Sequence, residues 1–260
     1  MIDTHCHLTD PRLREQLEAV IERARAAGVM KLITIGTDIE DDRAAVAVCY
    51  DAAGQLRPDV RCVVGVHPNY TQDATVDDVP QVREIQRDPA VVALGEMGLD
   101  YFHKFADRGH QARMFEAQLA IAAEVGRPVV IHSREAIADT LGIMKNFPTV
   151  AAVFHCFTGM MAEAEAILAA NERYLISFTG PITYKKNDAL RDVVRRVPLE
   201  RLMVETDAPY LSPEPKRAQK VCEPAFVMYT AAKVAEVKGV GLDEVDRVTT
   251  GVARGFFGWG

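Results

Sequence analysis

The sequence is poor in the features that covalent cross-linking and membrane insertion require. It has five cysteines and no Cys-x-x-Cys pair, so we do not expect a disulfide framework. No apolar run approaches the roughly 18 residues of a membrane-spanning helix. The N-terminus also lacks the basic and then apolar pattern of a signal peptide. These absences predict a cytoplasmic protein that has no membrane partner.

Charge and composition exclude further classes. The chain has 30 Lys and Arg against 37 Asp and Glu, a formal net charge of −7, with 48% hydrophobic residues. This ordinary globular composition excludes disordered, collagen-like and coiled-coil chains. The acidic balance argues against a broad electrostatic grip on nucleic acid, but it allows a local basic patch. A chain of this length can bury roughly three quarters of its unfolded surface in one domain, so we predict a single domain over residues 1–260.

The sequence also lacks a P-loop, a dinucleotide-binding fingerprint and a nucleophile elbow. Short apolar runs instead alternate with longer helical patterns, and eight such runs predict an α/β fold, a (β/α)8 TIM barrel. A doubly wound open sheet is the competing fold, but it usually has fewer strands. The predicted strands are Met1–His5, Lys31–Gly36, Arg61–Val66, Val91–Gly95, Pro128–His132, Val150–His155, Arg173–Phe178 and Leu202–Thr206. The predicted helices include Pro11–Ala27, Arg108–Val125, Ala162–Ala170, Asp188–Arg196, Glu223–Val237 and Asp243–Phe256.

Ionisable side chains gather where the predicted strands end. The carboxyl ends of all strands of a barrel meet on the face that carries catalysis, so we expect these side chains to come together there. The set comprises His5 and His7 after the first strand, His67 after the third, Glu96 after the fourth, His132 after the fifth, His155 after the sixth, and Glu205 and Asp207 after the eighth.

Each member of this set is ambiguous by itself. His5 and His7 are two residues apart and share a strand face, so both rings can reach one ion, while Cys6 should point away as a buried apolar residue. Glu96 follows a buried apolar run, where a carboxylate is costly unless it forms a salt bridge or binds a metal. A lone histidine such as His132 is more often a satisfied core residue.

The set as a whole is more informative. Four of these histidines and two of the carboxylates would provide mixed nitrogen and oxygen donors, which suit Zn²⁺, Mn²⁺, Fe²⁺ or a histidine-tolerant Mg²⁺ site. Six ligands exceed the four of one tetrahedral zinc, so two ions that share a carboxylate are the economical assignment. Two ions roughly 3.5–4 Å apart can activate a water for in-line displacement. The pattern therefore predicts a two-metal hydrolase.

These residues lie in motifs that resemble those of the TatD family of metal-dependent deoxyribonucleases, a branch of the amidohydrolase-like barrels. The resemblance runs nearly end to end, with the motifs in the family's order. They are Asp3-Thr4-His5-Cys6-His7-Leu8, Gly65-Val66-His67-Pro68, Gly95-Glu96-Met97-Gly98-Leu99-Asp100-Tyr101, His132-Ser133-Arg134, His155-Cys156-Phe157-Thr158-Gly159, Ser177-Phe178-Thr179-Gly180-Pro181 and Glu205-Thr206-Asp207-Ala208-Pro209-Tyr210-Leu211.

The resemblance implies a role for each residue. The ligands of a first divalent ion would be His5, His7, Glu96 and Asp207. The ligands of a second would be Glu96, His132 and His155, with Glu96 as the bridge and Mg²⁺, Mn²⁺ or Zn²⁺ as the metals. His67 would lie by the scissile phosphate, and we expect Asp207 to orient or deprotonate the attacking water. The implied reaction is hydrolysis of DNA from single-stranded 3′ ends, without an obligate protein partner.

The chain departs from the family pattern at two places. Asn69 stands where many members have a second histidine, and Cys222 takes the place of an asparagine in the stretch after the eighth strand. Both changes leave the implied metal ligands intact, but they put substrate preference and loop shape in doubt.

Substrate contacts are harder to predict. Aromatic side chains near the strand ends could stack nucleobases, and lysines and arginines in the loops after the seventh and eighth strands could bind phosphate. Packing or a solvated charged surface is the competing interpretation for each of them. The candidates are Tyr101, Tyr184, Lys185 and Arg217, with Phe102, Tyr210, Lys186, Lys216 and Lys220 as further possibilities.

Two other functions are compatible with this sequence. The first is metal-dependent hydrolysis of another ester or amide, as by an aminoacyl-tRNA deacylase or a small-molecule amidohydrolase. Many such barrels bridge their metals with a carboxylated lysine after the fourth strand, whereas this chain has Glu96 there and its nearest lysine is Lys104. The second is a non-enzymatic metal-bound binding protein, which the complete set of implied ligands disfavours.

Overall fold

The computed structural model describes residues 1–259. Within them the chain divides into two compact units. The first unit comprises Met1–Thr34, Cys156–Ala164 and residues 175–259, and the second comprises Ile35–His155 and Glu165–Tyr174. A single domain over residues 1–260 stays a prediction.

Eight strands form one sheet in chain order, from first to last. Every predicted strand is present, and the (β/α)8 fold class is confirmed. The strands are β1 (Ile2–Cys6), β2 (Lys31–Ile35), β3 (Val60–Val64), β4 (Val91–Asp100), β5 (Val129–Arg134), β6 (Ala152–Phe154), β7 (Tyr174–Phe178) and β8 (Leu202–Val204). The pairs β1–β2, β3–β4, β4–β5, β5–β6 and β7–β8 are parallel.

Ten α-helices lie within residues 1–259. They are α1 (Pro11–Arg14), α2 (Leu17–Ala26), α3 (Ile39–Val48), α4 (Val79–Ile85), α5 (Arg108–Val125), α6 (Ile137–Met144), α7 (Met161–Ala170), α8 (Asp188–Arg196), α9 (Val227–Lys238) and α10 (Leu242–Phe257). Short 3-10 helices cover Pro68–Asp73, Gly180–Thr183, Leu199–Arg201 and Pro224–Phe226. The predicted helix Pro11–Ala27 is wrong as one continuous helix, because it is interrupted between Arg14 and Leu17.

Local sequence signals explain where the longest helix begins and ends. The carboxylate of Asp107 accepts a hydrogen bond from the main-chain N–H of His110 in the first turn of α5. At the other end, Gly126 adopts a left-handed conformation with φ of +70°. An acidic N-cap and a glycine after the last turn are typical helix boundaries, and α5 has the bounds that the sequence predicts.

In the first unit, the segment that follows β8 lies beside β1. Cys6 is bridged in parallel to Ala208, and the main-chain N–H of His7 donates to the carbonyl oxygen of Ala208 over 2.7 Å. All residues of β1, β7 and β8 are buried, as expected of parallel strands. This pairing brings the end of β1 and the residues after β8 into contact.

In the second unit, β4 is twice as long as predicted. The prediction that it ends at Gly95 is wrong, because the strand continues to Asp100 with all ten residues buried. Gly95 and Gly98 have φ of +133° and +141°. A Cβ atom on Gly98 would lie 2.0 Å from the carbonyl oxygen of His132. These glycines let the strand continue through a close backbone approach that no other residue fits.

Two buried glutamines of α5 complete the hydrogen bonding of the strand ends. Gln118 accepts from the N–H of Val66 over 2.7 Å and donates to its carbonyl oxygen over 3.0 Å. Gln111 accepts from the N–H of Asp100 over 2.8 Å and donates to its carbonyl oxygen over 3.1 Å. Buried main-chain groups need such partners, so α5 fixes the backbone where two strand ends carry polar side chains.

None of the helices within residues 1–259 has the length and apolar character needed to cross a bilayer. The five cysteines are all free thiols. Cys6 is buried, and its thiol donates to the carbonyl oxygen of Ile33, so it behaves as the packed residue that the sequence predicts.

Replacing Gln118 by Leu should destabilise the protein strongly. We expect the free energy of unfolding to fall by roughly 2–6 kcal/mol, because each of two buried main-chain groups of Val66 loses its partner at a cost of about 1–3 kcal/mol. Urea unfolding followed by circular dichroism measures this change. Gln55→Leu is the matched control, since Gln55 is exposed. Equal urea midpoints for the two variants would contradict the role of Gln118.

Candidate active site

The first cluster of ionisable groups lies in the first unit, where β1 ends. His5 and His7 have ring centroids 5.1 Å apart, and the Oδ1 atom of Asp207 lies 3.7 Å from Nε2 of His5 and 3.3 Å from Nε2 of His7. The sequence predicts that the two histidines share a face, and both rings do point at the same carboxylate. Two imidazoles and one carboxylate therefore provide a donor set for one cation.

Asp207 is held in place by a buried hydrogen-bonded turn. Its φ is +57°, and its main-chain N–H donates to the carbonyl oxygen of His5 over 2.9 Å. The preceding residue, Thr206, donates through its N–H and its hydroxyl to the fully buried carboxylate of Asp3 over 2.9 and 2.6 Å. Burial raises the pKa of Asp3 well above its usual range, although these hydrogen bonds oppose the shift. Asp3 thus ties the Asp207 turn to β1.

The second cluster lies in the second unit and surrounds one oxygen atom of Glu96. The Oε1 atom lies 2.6 Å from Nε2 of His155, 3.0 Å from Nδ1 of His132 and 3.5 Å from Nε2 of His67. Glu96 is only 2% exposed, so imidazole rings rather than water surround this carboxylate. His67, Glu96 and His132 each offer one donor atom, and these three atoms all lie within 4.8 Å of one another. This spacing would allow them to hold one metal ion.

Asp100 orients the imidazole of His132. Its Oδ2 atom lies 3.1 Å from Nε2 of His132, while Nδ1 of that ring faces Glu96 and His155. Burial alone would lower the pKa of His132, but hydrogen bonds to Asp100 and Glu96 raise it above the usual value. A carboxylate that holds the distal nitrogen of a histidine fixes the tautomer and leaves the other nitrogen for a metal. Asp100 therefore positions Nδ1 of His132 as the donor atom.

His67 has the same Nε2–H tautomer, but it turns the protonated nitrogen toward Glu96. Its Nδ1 atom accepts a hydrogen bond from the main-chain N–H of Asn69 over 3.0 Å, so the proton of the neutral ring lies on Nε2. The side-chain amide of Asn69, which stands where many family members have histidine, donates to Oδ2 of Asp100 over 3.3 Å. Nε2 of His67 is thus a hydrogen-bond donor directed at the Glu96 cluster.

Glu205 is buried and contacts the main chain of the first unit. β8 ends at Val204, and the Oε1 atom of Glu205 accepts the main-chain N–H of Cys156 over 2.6 Å. The prediction that the eighth strand extends to Thr206 is therefore wrong, and Glu205 and Asp207 both follow the strand. The left-handed turn at Asp207 breaks the strand alternation. Cys222, the other departure from the family pattern, is buried and donates its main-chain N–H to Pro209.

The predicted substrate-binding aromatic residues are engaged within the protein. The hydroxyl of Tyr101 donates to Asp139 over 2.8 Å, and burial together with this bond raises the pKa of Tyr101 to about 12. The guanidinium of Arg108 lies 3.9 Å from the Tyr101 ring centroid.

Tyr184 and Arg217 lie together in the first unit. The guanidinium of Arg217 is 3.8 Å from the Tyr184 ring centroid, and the Tyr184 hydroxyl donates to the carbonyl oxygen of Ser212. Lys185 is exposed beside them. Their binding of substrate stays a prediction.

Comparison with known proteins decides the family. The family model described as TatD related DNase matches residues 2–258. The chain belongs to this family. It is a metal-dependent hydrolase of the TatD type, and the resemblance that its motifs carry is confirmed.

Individual TatD relatives align over almost the whole chain. The uncharacterized metal-dependent hydrolase YabD of Bacillus subtilis is 35% identical over 261 residues, covering 99% of this chain and 98% of YabD. The 3′-5′ ssDNA/RNA exonuclease TatD of Erwinia amylovora is 35% identical over 264 residues, covering 99% and 100%. The crystal structure of the TatD homologue YJJV from Escherichia coli K12 has a TM-score of 0.90 at 27% identity, covering 99% and 98%.

Asp100 is a site residue that the sequence does not single out. The predicted end of β4 at Gly95 leaves Asp100 outside the strand, as part of a motif only. A longer strand would have shown the signal, since Glu96, Gly98 and Asp100 alternate at period two and share one face. His103, whose Nδ1 lies 2.8 Å from Oδ2 of Asp100, was missed for the same reason.

Replacing Asp100 by Asn should weaken metal binding at the second cluster. We expect the affinity for Mn²⁺ to fall about 10- to 100-fold, because the neutral amide no longer holds the proton of His132 on Nε2. Competition with a fluorescent chelator measures this affinity without reference to catalysis.

Asp77→Asn is the control for the Asp100 variant. It removes the same charge from an exposed position of the second unit. An unchanged Mn²⁺ affinity in Asp100→Asn, with a native circular dichroism spectrum, would show that Asp100 does not position the ligand.

Proposed function

We propose that this chain is a divalent-metal-dependent exonuclease that hydrolyses phosphodiester bonds of DNA from single-stranded 3′ ends. The observation that carries the proposal is the convergence of three imidazoles on one buried oxygen atom of Glu96. A relative that is 35% identical over 99% of the chain carries the name 3′-5′ ssDNA/RNA exonuclease, which supports a nucleic-acid substrate.

The donor atoms of both clusters suit divalent cations. Imidazole nitrogens and carboxylate oxygens are the ligands of Zn²⁺ and Mn²⁺, and carboxylates also bind Mg²⁺. Because the carboxyl ends of barrel strands meet on one face, we assign Glu96 as the shared ligand of two ions. When bound, such ions activate water and stabilise charge on phosphate oxygens. The remaining ligands would be His5, His7 and Asp207 for one ion and His132 and His155 for the other.

Asp207 is our candidate general base. Its carboxylate is partly exposed, with 15% of the side-chain surface open to solvent, whereas His5 is fully buried. A carboxylate that contacts both the histidines and solvent can orient an attacking water and accept its proton. The Asp3–Thr206 hydrogen bonds hold this carboxylate in place while it does so.

His67 is our candidate for stabilising the phosphate. The N–H of Asn69 occupies its Nδ1 atom, so Nε2 carries the proton and can donate to a non-bridging phosphate oxygen. A metal ligand needs a lone pair at the same nitrogen. His67 therefore presents a protonated nitrogen to the cluster, which favours phosphate contact over metal binding. His132 presents its unprotonated Nδ1, which favours metal binding.

Hydrolysis of another ester or amide is the second candidate. The same donor set could hydrolyse an aminoacyl-tRNA or a small ester, because metal-activated water attacks carbonyl carbon as well as phosphorus. Glu96 in place of a carboxylated lysine favours the nuclease. Assays of the metal-loaded protein with DNA and with aminoacyl-tRNA separate these candidates.

We expect the metal-loaded protein to shorten an end-labelled single-stranded DNA oligonucleotide from its 3′ end. The ladder should be absent in EDTA and should return with Mg²⁺, Mn²⁺ or Zn²⁺. Asp207→Asn should cleave about 10²- to 10⁴-fold more slowly, since it removes the proposed base. Gel analysis of a time course measures both effects, and a matched RNA oligonucleotide measures the preference between DNA and RNA.

The controls for this assay separate the candidate functions. Glu96→Gln should retain a native circular dichroism spectrum and should still bind the oligonucleotide while it loses cleavage, which a binding protein without catalysis would not show. Metal-loaded protein that leaves DNA intact but releases amino acids from aminoacyl-tRNA would overturn the nuclease proposal.

His67 and His132 should respond differently to replacement by Ala. We expect His67→Ala to lower kcat about 10²- to 10³-fold, because a donor to the transition-state oxyanion is lost, with Mn²⁺ affinity close to that of the unmodified protein. We expect His132→Ala to lower Mn²⁺ affinity at least about 10-fold. Chelator competition and single-turnover cleavage measure the two quantities. A large loss of Mn²⁺ affinity in His67→Ala would make His67 a metal ligand.

A further inference from the structure

The loop between β4 and α5 exposes two large aromatic side chains. Phe102 and Phe105 are 51% and 55% exposed, although phenylalanine is among the residues that folding most often buries. They lie two and five residues after Asp100, the residue that orients His132. The aromatic surface thus begins where the second cluster ends.

Three rings of this loop pack against one another in a fixed order. Phe105 stacks on His103 with centroids 5.4 Å apart and an interplanar angle of 8°. The ring of His103 meets Phe102 edge to face, at 4.9 Å and 87°. We call Phe102, His103 and Phe105 the β4–α5 platform. Because Phe105 uses His103 for stacking and is still more than half exposed, the platform can accept a further flat ring.

The platform is fixed to the second cluster by the carboxylate of Asp100. Its Oδ1 atom accepts the main-chain N–H groups of Phe102 and His103 over 3.0 and 2.8 Å. Its Oδ2 atom lies 2.8 Å from Nδ1 of His103 and 3.1 Å from Nε2 of His132. One carboxylate thus contacts both His132, the proposed metal ligand, and the platform. A ring stacked on the platform would therefore lie on the loop that adjoins the second cluster.

Cationic side chains surround the platform. The guanidinium of Arg134 lies 3.7 Å from the ring centroid of Phe102, and Lys104 and Arg108 are exposed in or next to the same loop. Aromatic rings interleaved with cations are typical of surfaces that bind single-stranded nucleic acid, because bases stack while phosphates meet positive charge. The chain as a whole has a net charge of −7, so this group of cations next to aromatic rings is a local basic patch on an acidic protein.

We propose that the β4–α5 platform is a nucleobase-binding subsite, in which a base of the single-stranded substrate stacks on the exposed face of Phe105. This inference rests on the proposed nuclease function. Every base has a flat π face, so the subsite selects unpaired strands over duplex and tolerates any sequence. Tyr101, the neighbouring aromatic residue, does not belong to the subsite, since Arg108 covers its ring and Asp139 engages its hydroxyl.

Fluorescence of 2-aminopurine tests the stacking directly. Oligonucleotides with this base at each of the three 3′-terminal positions are titrated with Glu96→Gln protein, which keeps them intact. We expect quenching at one of these positions. Adding Phe105→Ala should abolish the quenching and weaken binding about 5- to 150-fold, which corresponds to about 1–3 kcal/mol for one stacked base. Phe105→Trp should restore both.

Two controls separate stacking from general damage. Met30→Ala truncates another exposed apolar side chain, 57% exposed and in the first unit, and should leave the quenching in place. Bis(p-nitrophenyl) phosphate has no nucleobase, so Phe105→Ala should lower the ratio of kcat/KM for the oligonucleotide to kcat/KM for this ester.

The outcomes distinguish failure of the subsite from failure of the nuclease. Unchanged quenching in Phe105→Ala, or equal losses on both substrates, would overturn the subsite. If the unmodified, metal-loaded protein hydrolyses the ester but not DNA, the nuclease proposal fails. In that case, quenching that depends on Phe105 would still establish the subsite for a nucleic-acid ligand.

Discussion

A single buried oxygen atom of Glu96 determines how the second unit is built. Three imidazoles approach it within 3.5 Å, and an anion removed from water is tolerated only with such partners or with a metal. Glycines at 95 and 98 let β4 pass close to the main chain of Val130 and His132 on either side of Glu96. The histidines in turn need fixed tautomers, which Asp100 and the main chain of Asn69 provide. The glycines of β4 and the hydrogen bonds that fix the histidine rings thus all serve to surround the Glu96 carboxylate with partners.

Much of this arrangement could be predicted from the sequence because it depends on local chemistry. Apolar runs of five or six residues predict all eight strands, and α5 and α8 have their predicted bounds. α5 lies between Asp107 and Gly126, and α8 begins after Asn187 and ends shortly before Pro198. His5 and His7 face the same carboxylate because strand geometry places residues at i and i+2 on one face, and the left-handed turn after β8 brings Asp207 to them. The motifs then identified the family over nearly the whole chain.

Other features depend on contacts between distant residues, and no local pattern encodes them. The continuation of β4 to Asp100 depends on backbone approach to β5 at Gly98, whereas glycine in a sequence more often indicates that a strand ends. Gln111 looks like an ordinary helix residue until its amide is seen to pair with the main chain of Asp100. Tyr101 and Phe102 are stacking candidates from the sequence alone, whereas Phe105 is not, because the exposure that distinguishes Phe105 from Tyr101 arises only in the folded chain.

The polar side chains of α5 restrict how the length of this chain can change in evolution. His110, Gln111 and Gln118 each hold the main chain of a different segment, at Thr71, Asp100 and Val66. Each residue of an α-helix adds about 100° of rotation. One inserted or deleted residue between positions 111 and 118 would therefore turn one amide away from its partner and release a loop that carries a site residue. Insertions and deletions in TatD relatives should accordingly fall outside this segment, beyond Gly126 or before Asp107. A change of length there leaves the relative orientation of Gln111 and Gln118 on α5 unchanged.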